Sequence, residues 1–229
     1  MHIEIWSDVA CPWCYVGKRR FEAALARFGH RDEVTVEWRS FELDPAAPAR
    51  REESLAEHLA AKYGTSLERA REMEAQMTQV AAAEGLDFHF ERGVGANMLD
   101  AHRTIHLAKA YGRQDAMEER LFKAYLEEGE VLSDHATLRR LAAEVGLDDA
   151  EVAETLATGR FEQEVRDDER TAQQLGINAV PCFVVDRRFA AQGAQDPEAL
   201  LQLLDHAWAQ RAPALQAVPD GAACGPDGC

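Results

Sequence analysis

In the opening Met1-His2-Ile3-Glu4-Ile5-Trp6, apolar side chains at 1, 3 and 5 alternate with polar ones, the period of a strand. From Phe21 the period changes. Phe21, Leu25 and Phe28 fall on one helical face, and Gly29 can close the helix. Val34 to Phe41 alternates again and is rich in β-formers, which predicts a second strand, ended by Asp44-Pro45 and Pro48. A strand, a helix and a strand joined by a long connection predict a right-handed parallel crossover.

The next hundred or so residues read as helical. Ser54-Leu55-Ala56-Glu57 and Thr65-Ser66-Leu67-Glu68 both have capping-box form, with Gly64 and Gly85 as stops. Leu67, Ala70, Met73, Met77 and Val80 run down one face, a stripe that reads as core or domain contact. Leu86 to Phe90 alternates briefly, as an extended piece would. Asn97 is expected to cap a helix through Tyr111, followed by helices from about Asp115 to Glu128, from Asp134 to Val145 and after Asp148. Gly159 to Leu175 reads as a charged helix stopped by Gly176. Then come an apolar strand, Ala179 to Asp186, and a second, Arg188 to Gly193, linked at Arg187-Arg188 without the usual Gly or Asn. Pro197 opens a last helix through Trp208, and an extended Pro- and Gly-bearing tail follows.

Composition narrows the partners. Hydrophobic residues make up 46% and charged residues 29%, ordinary for a globular chain. The formal charge of -16, from 41 acidic against 25 basic side chains, argues against nucleic acid or an anionic membrane as partner. No run approaches the roughly 18 apolar residues of a membrane span. The opening carries Glu4 and Asp8 without a basic segment or a long apolar core, so a cytoplasmic protein is expected. Cysteines stand only at 11, 14, 182, 224 and 229, too few for a disulfide scaffold; such cysteines are catalytic, redox-active or metal-bound.

Cys11-Pro12-Trp13-Cys14 sits where the first strand turns into the first helix. Pro12 suits the first helical position, which places Cys11 at the N-cap, where free N–H groups and the macrodipole favour an anion. A thiolate there is the nucleophile of thiol–disulfide exchange, and Cys14 is near enough to attack the mixed disulfide formed at Cys11. The alternatives are half of a zinc site or two core cysteines. Trp13 is expected to be exposed and to offer an apolar surface to clients, Tyr15 to be packed, and Lys18-Arg19-Arg20 to form a solvated face. His102 and His106, four apart on a helix, read as a structural face sooner than a metal pair. Cys224 and Cys229, separated by Gly225-Pro226-Asp227-Gly228, are a second redox pair, part of a four-cysteine zinc site, or inert.

Taken together, Asp8-Val9-Ala10-Cys11-Pro12-Trp13-Cys14-Tyr15-Val16-Gly17, Asn97 with Asp100-Ala101-His102-Arg103, Ala179-Val180-Pro181 and Gly193-Ala194-Gln195 resemble the DsbA family, and within it the FrnE-like oxidoreductases. The resemblance covers about residues 1–210. It implies an α/β thioredoxin-like fold, a central mixed β-sheet with a large all-helical insertion: 1–44 with 160–210 as the thioredoxin-like part, 45–159 as the insertion and 211–229 as a tail. It implies catalytic Cys11 and Cys14, and a cis Pro181 packed on them. Val180 would present its backbone, with Trp13, to the substrate. His102 and Asn97 would lie near the cleft, and no cofactor or metal is implied. Some FrnE-like proteins carry a similar C-terminal cysteine pair. Cys182 departs from the pattern and brings a third thiol near the site. The implied activity is thiol–disulfide exchange or isomerisation on protein cysteines, with a thioredoxin- or glutathione-type electron donor. The 2-hydroxychromene-2-carboxylate isomerases and kappa-class glutathione transferases share the architecture, but they carry Ser where this chain has Cys11 and use glutathione. A redox-sensing client-binding protein is the third reading.

Overall fold

In the computed structural model, which describes residues 1–211, strand β1 (His2–Ser7) lies inside a four-stranded sheet of order β2-β1-β3-β4. β2 (Thr35–Ser40) runs parallel to it, with Ile5 beside Trp38 and Ser7 beside Ser40. β3 (Cys182–Val185) is antiparallel on the other side, Trp6 facing Cys182, and β4 (Phe189–Gln192) pairs antiparallel with β3. Helix α1 (Pro12–Arg27) makes the crossover from β1 to β2. The expected mixed sheet with a helical block between its second and third strands is present.

Ile3, Ile5, Phe183 and Val185 pack on Phe21 and Ala24 of α1, on Phe28 just past its end and on Leu200, Leu204 and Ala207 of α9 (Pro197–Ala209). Trp6, Cys182 and Val184 turn the other way, toward the helical block. β1 is therefore buried on both faces, and the alternation read from its sequence does not mark a wet side. Glu4 tolerates this because Arg39 approaches one carboxylate oxygen at 2.7 Å and Arg187 the other at 2.7 Å.

The block holds α2 (Leu55–Tyr63), α3 (Leu67–Ala83), α4 (Leu99–Ala110), α5 (Gln114–Lys123), α6 (His135–Glu144), α7 (Asp149–Thr158) and α8 (Glu162–Gln174). The Ser54–Glu57 capping box forms, but the second helix is capped by Ser66, which accepts the Arg69 N–H, and not by Thr65 with Glu68. Leu86–Phe90 is irregular and ends in a 3-10 turn, Phe90–Arg92, since among the described residues no strand lies alongside to pair with it. The fifth helix gives way to a π turn over Ala124–Glu128, and the charged helix starts at Glu162 rather than Gly159. The apolar strand begins only at Cys182. Its hairpin turns at Asp186 and Arg187, both with positive φ, one residue before the expected link.

Side chains of the block finish the free edge of β2. Gln114 of α5 accepts the Trp38 N–H at 3.1 Å and donates to the Trp38 carbonyl at 2.9 Å, as a neighbouring strand would. Asp168 of α8 accepts the Ser40 N–H at 3.0 Å while holding Arg39 and His106. Gln114→Ala leaves a buried donor and acceptor without partners. It should cost about 1–3 kcal/mol per orphaned group, read as a lower urea midpoint at unchanged m-value.

Candidate active site

The site begins where β1 ends. Asp8, 2% exposed, accepts the Ala10 N–H at 2.9 Å on one carboxylate oxygen and the Leu43 N–H at 2.7 Å on the other. Its own carbonyl accepts the Cys11 N–H at 2.9 Å. This turn delivers Cys11 to the N-cap of α1 with extended backbone (φ -93°, ψ 110°) and Pro12 to the first helical position. No side chain caps the helix, Pro12 carries no N–H, and the Cys14 N–H donates to the Cys11 carbonyl at 3.0 Å, so the helix start turns the positive end of its dipole on the Cys11 sulfur.

The Cys11 sulfur points at the Val180 carbonyl oxygen, 3.8 Å away. The Val180–Pro181 peptide bond is cis, and Pro181 lies buried against α1. A Cβ at Gly17 would come within 2.8 Å of the Pro181 ring, so only glycine allows this approach. The Pro181 carbonyl accepts the Gly193 N–H at 2.7 Å, and Arg20 holds the next carbonyl, that of Ala194, at 2.8 Å. Three of the stretches singled out in the sequence thus meet around one sulfur.

Cys14 is wholly buried behind Cys11. Burial first, then the nearness of Cys11, pushes its thiol well above the ordinary value, against the pull of the Asp8 backbone and the Ser7 hydroxyl. Cys11, Cys14 and Cys182 are free thiols. Cys182 is 3% exposed, and burial raises it to about 11, which makes it a poor nucleophile.

Cys11 opens on a cleft of about 540 Å³, within the size range of ligand sites. Asp8, Pro12 and Trp13 form its active-site end, and Leu55, Leu59, Met73, Met77, Val80 and Phe90 its far wall. Arg51, which pairs with Asp44, also lines it, with His58, Lys62 and Glu74. Trp13 is 45% exposed at the mouth. The methionine stripe is half core and half cleft, since Met77 is buried while Met73 stays partly open.

Other sequence expectations move. His102 does not line the cleft. It sits behind Asp8, with Nε2 3.6 Å from a carboxylate oxygen, an ionic contact rather than a hydrogen bond. Burial opposes its charge, but Asp8, Glu118 and Glu42 outweigh that and hold its pKa above the usual histidine value. His106 instead meets Ser40 and Asp168. Cys182 belongs to β3 and Asn97 to the rim scaffold, and neither lines the cleft. The Asn97 amide accepts the Leu99 N–H at 2.9 Å, one residue before the cap position, and donates to the carbonyls of Pro45 and Ala47. Lys18-Arg19-Arg20 is not a solvated face. Lys18 is 2% exposed among Glu22, Asp115 and Glu119, Arg19 pairs with Glu119 beside the Tyr15 hydroxyl, and Arg20 pairs with Glu84. Tyr15 is packed as expected, stacked on Phe122 and Phe88. Cys224 and Cys229 lie outside the described residues.

Glu118 was not singled out in the sequence. It is 2% exposed on α5, and burial pushes its carboxyl up to about 7 against the pull of His102, Ser7 and Lys18. Its one sequence signal is a charge placed three and four residues before the buried Leu121 and Phe122, on an apolar helix face.

Residues 2–205 match a family model described as DSBA-like thioredoxin domain. A crystal structure of a probable DsbA oxidoreductase, SCO1869 of Streptomyces coelicolor, is 46% identical, covers 100% of this chain and 98% of its own, and superposes with a TM-score of 0.89. YwbO of Bacillus subtilis (strain 168) is 30% identical over 189 residues, 81% of this chain and 86% of its own length. The cytosolic disulfide reductase DsbM of Pseudomonas aeruginosa, 17% identical, shares the fold with a TM-score of 0.66 over 92% of this chain and 100% of its own.

The Glu118 shift has a consequence for stability. Between its ordinary value of 4.5 and about 7 the unfolded chain has released this proton and the folded chain retains it, so stability falls as pH rises. The loss amounts to about 3 kcal/mol and is complete above the folded pKa. Glu118→Gln stays neutral throughout. Its urea midpoint should therefore gain on that of the wild type between about pH 5 and about pH 8; a constant difference across that range would contradict the assignment.

Proposed function

The chain belongs to the DSBA-like thioredoxin domain family, and we propose that it is a thiol–disulfide oxidoreductase of protein cysteines in which Cys11 attacks and Cys14 resolves. The observation that carries this reading is the pairing of an uncapped helix start at Cys11, open to a cleft, with a buried Cys14 directly behind it. A Cys11 thiolate attacks one sulfur of a client disulfide, forming the mixed disulfide and releasing the other client sulfur as thiolate. Cys14 then attacks the Cys11 sulfur, the Cys11–Cys14 bond forms, and the second client sulfur leaves. The client gains two electrons and the pair is oxidised; run backward, the same steps oxidise or rearrange client cysteines.

The apolar wall and Trp13 suit an unfolded segment around the client cysteine, and in this reading the Val180 carbonyl, 3.8 Å from the Cys11 sulfur, accepts a client N–H. The bond between Val180 and Pro181, beside the Cys11 sulfur, is cis. A glutathione-type donor fits this reading, and DsbM has been solved with glutathione. Among the described residues no helix is long and apolar enough to cross a membrane. We place the exchange in the cytoplasm, in keeping with the cytosolic disulfide reductase DsbM that shares the fold.

Insulin reduction should disappear in Cys11→Ser, whereas Cys14→Ser should trap client mixed disulfides visible on non-reducing gels. Alkylation across pH should label Cys11 before Cys14. Labelling in the opposite order would overturn the roles, and full insulin reduction by the double Ser variant would leave only client binding.

The tail pair enters the same scheme as a relay. From Arg211 to Cys224 the chain spans at most roughly 45 Å. Helix α1, with its C-terminal Phe28 end against Trp208 and Cys11 at the other end, has 16 residues and so is about 24 Å long. A thiolate at Cys224 or Cys229 within that reach would reduce the Cys11–Cys14 disulfide. Deleting residues 222–229 should spare a single turnover and slow steady-state turnover. Unchanged steady-state rates with thioredoxin and glutathione donors would remove the relay, and loss of a stoichiometric zinc on deletion would point to the metal site.

A further inference from the structure

The hydroxyl of a packed tyrosine ordinarily finds a hydrogen-bond partner. Tyr15 donates to Glu119 and Tyr111 to Glu151, while Tyr63 stands 60% exposed. Tyr125 has neither a partner nor open solvent. It is 5% exposed and lines the cleft, and its hydroxyl makes no hydrogen bond among the described residues. Nor is that hydroxyl among the polar atoms sealed away in the core, so it opens on the cleft. Its place is fixed from several sides. Tyr125 stands in the π turn Ala124–Glu128, a rare element that is frequent at functional sites. The Gly129 and Glu130 N–H groups close the turn on the Ala124 carbonyl, and the Leu126 carbonyl accepts the His89 N–H at 2.8 Å. Gly129 has a φ of 74°, and a Cβ there would meet the Arg92 carbonyl oxygen at 2.7 Å, so the turn sits directly against the Leu86–Arg92 segment.

The other donors of the cleft are committed or lie near solvent. Arg51 pairs with Asp44 and Glu53, the His58 ring lies 3.6 Å from the Glu53 carboxylate, and Lys62 is exposed. Trp13 stands at the mouth. An unfolded client segment carries unpaired carbonyls along its edges, and each one that leaves water needs a donor. Burial pushes the Tyr125 phenol above its ordinary value, so it keeps its proton at neutral pH and remains a donor. We infer that the Tyr125 hydroxyl donates a hydrogen bond to a main-chain carbonyl of the client segment bound in the cleft. This rests on the exchange reading above. A contact of that kind reads no side chain. Main-chain hydrogen bonds to an extended peptide supply affinity without choosing a sequence, which suits a protein that meets many unfolded clients.

The test uses the full chain with Cys224→Ser and Cys229→Ser as parent. The reduced protein is mixed with an excess of insulin, of a short alanine-flanked cystine peptide, or of dithiobis-nitrobenzoate, which has no main chain. The rate at which the cysteine pair becomes oxidised is followed against substrate concentration. Tyr125→Phe removes the hydroxyl alone. It should raise the half-saturating concentration of insulin and of the peptide, relative to dithiobis-nitrobenzoate, by about three- to tenfold, the contribution of one neutral hydrogen bond. The urea midpoint should hold or rise, since a hydroxyl with no partner inside the protein adds nothing to its stability. An unchanged preference among the three substrates would overturn the inference. So would a lowered midpoint or a failure to fold, either of which marks a partner within the protein. A rise confined to one of the two main-chain substrates would overturn it as well, because it marks a side-chain contact. A parent that reduces neither insulin nor the peptide would overturn the exchange reading instead.

Discussion

The buried carboxylate of Asp8 is the tie on which the site depends. One short side chain holds the turn that starts α1, the segment that leaves β2 and, through His102, the helix α4. An uncompensated carboxylate at 2% exposure would cost several kcal/mol, so these partners are a condition of its presence there. The same contacts fix where Cys11 lies relative to the helical block, because the cleft's near end is built from Asp8, Ala10 and Leu43. Position and chemistry thus share one anchor.

The block between the second and third strands contributes more than a lid. Gln114 and Asp168 complete the edge of β2, Leu55 to Phe90 supply the apolar wall, and Glu118 lies buried within reach of His102 and Lys18. Burying so many charged groups works only where each meets an opposite charge. Glu4 has Arg39 and Arg187, Lys18 has three carboxylates, and Glu42 has Arg166. Glu118 departs from this rule. It lies near His102 and Lys18 without pairing to either, and burial raises its pKa.

The order of elements, the parallel crossover and the place of Cys11 and Cys14 at a strand-to-helix turn were legible from local signals: period, Pro12 at the helix start and capping residues. These depend on neighbours within a turn or two, so the chain's own order carries them. The helix ends were less legible. Ser66 rather than Thr65 caps α3, and a π turn follows Lys123 where the sequence reads as one continuous helix. Lys18-Arg19-Arg20 reads as a solvated run because, beyond Glu22 one turn on, nothing local announces Asp115 and Glu119 of α5 or Glu84 at the end of α3.

Sequence by itself determined the type of chemistry, since a Cys-Pro-Trp-Cys pair at a helix start supplies an anion-favouring N-terminus and a second thiol within reach. Only the tertiary structure decided which groups surround it. Val180 faces Cys11 across 169 positions of sequence, and Gly17 matters because Pro181 rests on it. His102 moved from the cleft to the back of Asp8, and Glu118 emerged from an ordinary-looking helix. Burial and long-range pairing set how these groups behave, and both are properties of the packed chain that no short stretch of it contains.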